Sequence, residues 1–137
     1  MTFDEKTVKQ YNGTTLAYIG DAVTEIFMRT SLLLLGVTDT ARSNGLALRF
    51  VTAHAQSDAV KALEGRLTEE EADVLRRGRN AKLTHRPKNQ TQSDYRRATG
   101  FEALMGYLYL SGKADRAREL FDLAYADILE GIKNKSF

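Results

Sequence analysis

Residues 14–24 have the sequence TTLAYIGDAVT, in which Asp21 is the only charged side chain. From this segment onward, apolar residues recur at the spacing that places them on one face of a helix; they are Leu16, Ile19, Val23, Ile26 and Phe27. Either threonine at the start could cap the helix by accepting a hydrogen bond from its first turn. Gly36 is typical of a helix end. The pattern predicts a helix over about residues 15–35 that carries a lone carboxylate.

The rest of the sequence also favours helices, which predicts an all-α fold. Proline occurs once, as Pro87, while alanine and leucine are abundant and both favour helix. The alternation of β-branched residues that is typical of strands is scarce. Further helices are predicted over about residues 39–63, 68–78, 94–110 and 114–130, with a possible break at Gly45 and a cap at Ser93 or Asp94.

Length and composition limit the kinds of protein that this chain can be. A chain of 137 residues suits one domain. Cysteine is absent, which excludes disulfides, thiolate zinc sites and cysteine nucleophiles. The only histidines are His54 and His85, so a zinc site would need carboxylates to complete its ligands. The longest purely apolar run, residues 32–35, is far too short to cross a bilayer, and residues 1–10 lack the apolar stretch of a secretory signal. We therefore expect a cytoplasmic protein without a membrane anchor.

A second isolated acid lies in residues 98–110 (ATGFEALMGYLYL), where Glu102 is the only charge. A charge in apolar surroundings is costly unless it is paired or holds a metal. Because the chain lacks cysteine, hydrolytic chemistry would use carboxylates, which can hold a hard cation such as Mg²⁺. Lone acids on apolar helices can instead be solvated or paired with arginine. Glu25, one turn after Asp21, could be a further ligand or could mark the solvated edge of its helix.

Positive charge is concentrated in residues 76–97, which contain eight bases and one acid. This segment has a net charge of +7 while the rest of the chain has −5, so the total of +2 hides the asymmetry. Residues 79–93 are predicted to form a long loop with almost no apolar residues, and such loops are usually functional or disordered. A basic segment on an otherwise acidic chain indicates a polyanionic partner that is bound through its phosphates. Runs of arginine and lysine are, however, often only solvated surface.

Three motifs together resemble a known family. Residues 16–23 (LAYIGDAV) resemble the signature helix of the ribonuclease III family, and residues 101–109 (FEALMGYLY) resemble its second acidic helix. The segment 76–82 (RRGRNAK), followed by Pro87-Lys88-Asn89, is typical of the Mini-ribonuclease III branch of that family. The resemblance covers about residues 14–130. It implies a single ribonuclease III-like catalytic domain with short terminal extensions at residues 1–13 and 131–137.

The resemblance implies a homodimeric, metal-dependent endoribonuclease that cleaves both strands of double-stranded RNA. Asp21 and Glu102 match the family's catalytic acids, which bind Mg²⁺. The implied substrate is precursor 23S ribosomal RNA, recognised mainly by its shape. The residues expected to contact the RNA backbone are Arg76, Arg77, Arg79, Asn80, Lys82 and Lys88.

The chain departs from the pattern of full-length ribonuclease III at two positions. Ala17 stands where that enzyme usually has a glutamate, and Thr99 stands where it usually has an aspartate. Only two of four acids therefore remain, and the number of metal ions stays open. We also expect no separate domain for binding double-stranded RNA, and hence modest, salt-sensitive affinity. Two other functions remain open, namely a non-catalytic RNA-binding module of the same fold and a helical adaptor that binds an acidic protein.

Overall fold

The computed structural model describes residues 3–81 and 91–134, and all regular secondary structure in these residues is helical. In chain order the helices are α1 (Glu5–Gln10), α2 (Gly13–Leu34), α3 (Thr40–Val51), α4 (Ala53–Ala62), α5 (Glu69–Arg79), α6 (Gln92–Leu110), α7 (Ala114–Ala124) and α8 (Ala126–Lys133). The expected all-α fold is confirmed. None of the helices in the described ranges has both the length and the apolar character needed to cross a bilayer.

Side-chain caps set several helix ends one to three residues away from the predicted ones. Asn12, not Thr14 or Thr15, caps α2, and its side-chain oxygen accepts a hydrogen bond from the Thr15 backbone N–H at 2.8 Å. Thr91 caps α6 in the same way, ahead of the predicted Ser93 or Asp94. The helix predicted over residues 39–63 breaks at Thr52 rather than at Gly45. The Thr52 backbone is extended and its hydroxyl accepts a hydrogen bond from the first turn of α4, which short polar side chains do readily.

Two further elements differ from the sequence-based predictions. Residues 5–10 form α1, which the sequence did not indicate because Val8 is the single buried residue on it. The last predicted helix is divided into α7 and α8 at Tyr125. The Tyr125 ring is 1% exposed and packs against Phe50, Phe101 and Phe121, with ring centroids 4.9–5.8 Å apart. The helix is interrupted where this large side chain is buried in the core.

Helix α6 is the centre of the molecule, and α2 crosses it at very short range. Residues 98–108 of α6 are buried apart from Glu102, which is partly exposed. A Cβ atom on Gly20 of α2 would lie 1.6 Å from the Glu102 carbonyl oxygen, and one on Gly106 of α6 would lie 2.0 Å from the Leu16 carbonyl oxygen. Only glycine permits this backbone contact. The crossing therefore fixes the place where α2 and α6 bring their side chains together.

Candidate active site

The crossing of α2 and α6 brings Asp21 and Glu102 together. Asp21 follows Gly20, whose missing side chain allows the backbone of α2 to reach that of Glu102. The two carboxyl groups are close enough for a hydrogen bond between them when one is protonated. Asp21 is exposed at the surface and Glu102 is largely buried beside it. Asp21 and Glu102, the two isolated acids of the sequence, are thus neighbours in the structure.

The surroundings of Glu102 favour its protonated form. The pKa of this carboxyl group is raised from 4.5 to about 8, chiefly by burial and then by the hydrogen bond and the negative charge of Asp21. Both effects penalise a second negative charge in a poorly solvated place. The Glu102 carboxylate in turn adds to the rise in the pKa of Tyr125, whose main cause is burial. A positive group bound beside the pair would stabilise the ionised form of both acids.

No such positive group is supplied by the described residues. Among their ion pairs, none includes Asp21 or Glu102. The contrast with Glu71 is informative, because Glu71 is also buried but accepts hydrogen bonds from Arg116 at 2.8 and 2.9 Å. Arg116 holds the pKa of Glu71 below its usual range. Glu71, a buried acid, is thus paired with a cation, whereas no cation among residues 3–81 and 91–134 pairs with Asp21 or Glu102.

The two acids line a cleft of about 480 Å³ between helices α2, α3, α4 and α6. Its other lining residues are Thr14, Ala17, Tyr18, Val51, Gln56, Tyr95, Ala98 and Thr99. The two positions where full-length ribonuclease III usually has acids, Ala17 and Thr99, both face this cleft. Glu25 does not line it and forms an ion pair with Arg29 at 2.8 Å. This agrees with the view that Glu25 marks the solvated edge of its helix.

The donors in this cleft suit magnesium better than zinc. No group of three or more histidine, aspartate or glutamate side chains that could hold a metal occurs within residues 3–81 and 91–134. Zinc sites usually require three or four nitrogen, sulfur or carboxylate ligands from the protein. Mg²⁺ keeps several waters and is commonly held by one or two carboxylates together with substrate phosphates. Asp21 and Glu102, with neutral oxygens around them, therefore fit Mg²⁺.

Several of the expected RNA-binding residues lie at the end of α5, beside this cleft. Arg76, Arg77 and Asn80 line a second cleft of about 560 Å³ together with the first turn of α2. Thr14 borders both clefts, so the basic and the acidic surfaces adjoin. Arg79 is exposed on the same helix end but does not line this second cleft. Lys82 and Lys88 fall outside the described residues, as do His85 and Pro87.

Two of these arginines also have structural partners. The Arg77 guanidinium donates a hydrogen bond to the Tyr11 carbonyl oxygen at 2.8 Å and so ties α5 to the end of α1. Arg76 forms an ion pair with Asp73 one turn earlier. Arg79 accepts a hydrogen bond from Arg96 at 3.2 Å through its backbone carbonyl oxygen, whereas its side chain is exposed and has no partner among the described residues. Arg79 is therefore the member of this group whose charge is most available to an RNA phosphate.

Sequence reasoning missed Gln56, Tyr95 and Val51 as parts of the acidic cleft. Gln56 lies on α4, where its neighbours His54 and Asp58 form an exposed ion pair, so nothing nearby in sequence singled it out. Arg97 was counted with the basic segment, but its guanidinium donates a hydrogen bond to the Ser57 hydroxyl at 2.9 Å. That bond fastens α4 to α6. Only the packing of α4 against α6 shows which of its side chains line the acidic cleft.

Comparison with known proteins identifies the class to which this fold and site belong. Residues 14–113 match the ribonuclease III domain, which is well over half of the chain. The chain belongs to the ribonuclease III family, and it is an endoribonuclease of the ribonuclease III type. The resemblance seen in the three sequence motifs is thereby confirmed.

Within that family the chain is similar to proteins named Mini-ribonuclease 3. The one from Symbiobacterium thermophilum is 48% identical over 116 residues, which cover 85% of this chain and 88% of the relative. The one from Clostridium tetani is 43% identical over 134 residues, which cover 97% and 89%. A crystal structure of a Fusobacterium nucleatum protein superposes with a TM-score of 0.75 at 28% identity, covering 88% of this chain and 96% of that one.

Proposed function

We propose that this enzyme hydrolyses phosphodiester bonds of double-stranded RNA at the Asp21–Glu102 pair, with Mg²⁺ as its cofactor. The observation that carries the proposal is the geometry of that pair. Two carboxyl groups from different helices share one cleft, and no cation of the described residues pairs with either. A non-catalytic RNA-binding module would gain nothing from such an arrangement, because the closeness of the two acids destabilises the folded chain.

Different residues of the chain have different proposed roles at the site. Asp21, exposed at the mouth of the cleft, and Glu102, deeper in it, would hold the ion with one carboxylate each. The ion, when bound, supplies Lewis acidity that stabilises charge on the phosphate and activates water. Glu102 would hold the ion as a carboxylate, and its pKa of about 8 is that of the protein without a cation. Ala17 and Ala98 keep the cleft wide enough for a phosphate to approach.

The basic surface at the end of α5 is proposed to hold the RNA backbone beside the acids. Arg76, Arg77 and Asn80 line a cleft that adjoins the acidic one at Thr14, and Arg79 is exposed nearby. Lys82 and Lys88 continue the same basic segment in the sequence. Phosphate contacts of this kind give affinity and orientation but do not distinguish bases. Recognition by the shape of the A-form duplex follows.

The proposed assembly is a homodimer, because cutting both strands of a duplex requires two active sites. An apolar surface of suitable character lies next to Asp21. Tyr18, Ile26 and Tyr109 are 81%, 59% and 53% exposed, and a hollow of about 530 Å³ on this surface is lined by all three and by Asp21. Exposed apolar patches of this kind commonly mark protein–protein contacts. A second copy placed here would bring a second site close to the first.

The proposed substrate is precursor 23S ribosomal RNA, on the basis of the similarity to Mini-ribonuclease 3 proteins. Paired ends of a long precursor present a duplex, which is the substrate shape that the rest of the proposal requires. A labelled duplex with the sequence of those ends should be cut at defined positions on both strands. A random duplex of equal length serves as the comparison. Equal cutting of both duplexes at scattered positions would argue against this substrate.

The test of the catalytic proposal uses a labelled RNA duplex with Mg²⁺ or with a chelator. We expect the wild type to cut both strands only with Mg²⁺, and we expect Asp21→Asn and Glu102→Gln to bind RNA without cutting it. RNA binding without cutting by the wild type would favour the non-catalytic module. Failure of the wild type to bind RNA even at low salt would favour a protein adaptor. Cutting at the wild-type rate by either variant would overturn the assignment of the two acids.

A further inference from the structure

The acidic cleft contains one neutral side chain whose polar end is uncommitted and whose chemistry suits a metal ligand. Gln56 on α4 is partly buried and lines the cleft together with Asp21 and Glu102. Its amide group makes no hydrogen bond to any residue in the ranges 3–81 and 91–134. The amide is therefore free to bind a ligand that enters the cleft.

The other polar side chains in the cleft are less suited to that role. The Thr14 hydroxyl donates to the Asn12 side chain at 2.8 Å, and the Thr99 hydroxyl donates to the Tyr95 carbonyl oxygen at 2.9 Å. The Tyr95 phenol is not among the carboxylate, carbonyl and water oxygens that usually bind hard cations. An amide oxygen is neutral, has two lone pairs and is a common ligand of hard cations.

The position of Gln56 is fixed by the packing of α4. The next residue, Ser57, is buried, and its hydroxyl accepts the hydrogen bond from Arg97 of α6 at 2.9 Å. Ala59, one turn further on α4, is also buried in the core. The small side chains of Ala17 and Ala98 leave space in front of Gln56 that larger residues would fill. Gln56 is thus held at the part of the cleft that α4 lines.

We infer that the side-chain amide oxygen of Gln56 is a third protein ligand of the divalent cation held by Asp21 and Glu102. The inference rests on the proposed metal site and extends it. Two ionised carboxylates neutralise one divalent cation, and a neutral amide adds a ligand without leaving excess negative charge beside an RNA phosphate. The site would then draw its three protein ligands from α2, α4 and α6. It would use Gln56 where full-length ribonuclease III relies on further acids.

The test measures binding of Mn²⁺ to the RNA-free protein by the loss of the free-ion electron paramagnetic resonance signal. Gln56→Met keeps the length of the side chain but removes its oxygen, and we expect it to weaken Mn²⁺ binding by about tenfold, the lower end of the loss seen when groups around a metal are removed. Gln56→Glu should bind Mn²⁺ more tightly than the wild type. Gln10→Met, on the exposed end of α1, is the matched control and should bind like the wild type.

A second readout follows the Gln56 side chain directly. The NH₂ signal of Gln56 in a ¹⁵N-labelled sample is identified by its loss in Gln56→Met. It should shift on titration with Mg²⁺ along the same curve that describes ion binding. Thermal unfolding midpoints of both variants within a few degrees of the wild type exclude a folding defect.

The outcomes separate this inference from the function on which it rests. If Asp21→Asn abolishes Mn²⁺ binding while Gln56→Met leaves it unchanged, the metal site stands and the role of Gln56 is overturned. Gln56 would then be assigned to the RNA instead if the same variant weakens RNA binding. If Asp21→Asn leaves Mn²⁺ binding unchanged, the metal site itself fails, and the role of Gln56 fails with it.

Discussion

Glu102 and Glu71 show how the same carboxyl group acquires opposite properties from its neighbours. Arg116 stabilises the charge on Glu71 with two hydrogen bonds and lowers its pKa. Burial and Asp21 disfavour the charge on Glu102 and raise its pKa to about 8. A shift of this size in a cleft is a mark of functional sites, because folding alone gains nothing from it.

The raised pKa of Glu102 makes the stability of the cation-free protein depend on pH. Between about pH 4.5 and pH 8 the folded chain keeps the Glu102 proton and the unfolded chain has lost it. The unfolded state then binds fewer protons, so stability falls as pH rises through this range. We expect Glu102→Gln, measured by urea denaturation with a chelator, to match the wild type near pH 5. At pH 8 it should exceed the wild type by at least about 1 kcal/mol, the equivalent of one pKa unit.

The matched control for this measurement is Glu64→Gln, at an exposed position. Its stability relative to the wild type should not change between pH 5 and pH 8. Asp21 and Tyr125 are the titratable groups that interact with Glu102, and neither is altered in the variant. A constant difference between Glu102→Gln and the wild type across the range would contradict the assigned pKa.

Two buried tyrosines offer a contrast in how hydroxyl groups contribute to stability. The Tyr107 hydroxyl donates to Glu70 and lies 3.2 Å from a carboxylate oxygen of Glu5, linking α6 to α5 and α1. The Tyr125 hydroxyl is buried without a hydrogen-bond partner in the described part of the chain. We expect Tyr107→Phe to lose about 1.5–3 kcal/mol of unfolding free energy, typical of hydrogen bonds to charged groups. Tyr125→Phe should be neutral or stabilising, and equal losses in urea denaturation would refute the contrast.

Among the helices, the contact between α2 and α6 is the one that assembles the site, and it depends on glycine. A Cβ atom on Gly20 would overlap the Glu102 carbonyl oxygen at 1.6 Å, and neither helix backbone can move without disturbing the core. We expect Gly20→Ala to destabilise the fold by about 3 kcal/mol or more. The measurement is thermal unfolding, with Gly45→Ala of α3 as the control. A Cβ on Gly45 meets nothing within 4 Å, so this change should stabilise α3 by about 0.5–1 kcal/mol. A small effect of Gly20→Ala would show that the helices are not in backbone contact.

The end of α5 is expected to contribute binding rather than chemistry. Arg79→Ala removes an exposed charge that has no side-chain partner in the described ranges. We expect weaker binding to duplex RNA and a salt dependence of log K that is shallower by about one unit, as for a lost phosphate contact. Cleavage at saturating RNA should be nearly unchanged. Lys133→Ala, exposed on α8, is the control. An Arg79 variant with unaltered affinity and salt dependence would remove this residue from the RNA surface.

For the whole molecule, the proposed dimer surface connects assembly to activity because Asp21 lies beside it. Ile26→Glu places a charge among exposed apolar side chains and should not disturb the core, since Ile26 is 59% exposed. We expect this variant to be monomeric in analytical ultracentrifugation and to lose paired cutting of the two strands. Leu48→Glu, at a position that is 64% exposed on α3, is the matched control and should remain dimeric and active. A dimeric Ile26→Glu protein would place the interface elsewhere.

Much of the helical architecture could be predicted from local pattern. The apolar spacing in α2, the acidic start of α5 and the apolar character of α6 report on interactions within a few residues, which are visible along the chain. The isolation of Asp21 and Glu102 was equally visible, because a single charge in an apolar helix needs no knowledge of packing. Resemblance to a family then linked the two acids, which periodicity could not do.

The remaining helix boundaries and the composition of the cleft depend on tertiary contacts, because these contacts join residues that are far apart in sequence. The break at Thr52 and the division at Tyr125 follow from a cap and from a ring that enters the core, both invisible to periodicity. The pKa of Glu102 arises from burial and from a carboxylate on another helix. Gln56 lines the acidic cleft because α4 packs against α6, where Arg97 bonds to Ser57. Sequence pattern therefore singled out the two isolated acids, and the packing of α2, α4 and α6 determined which side chains share a cleft with them.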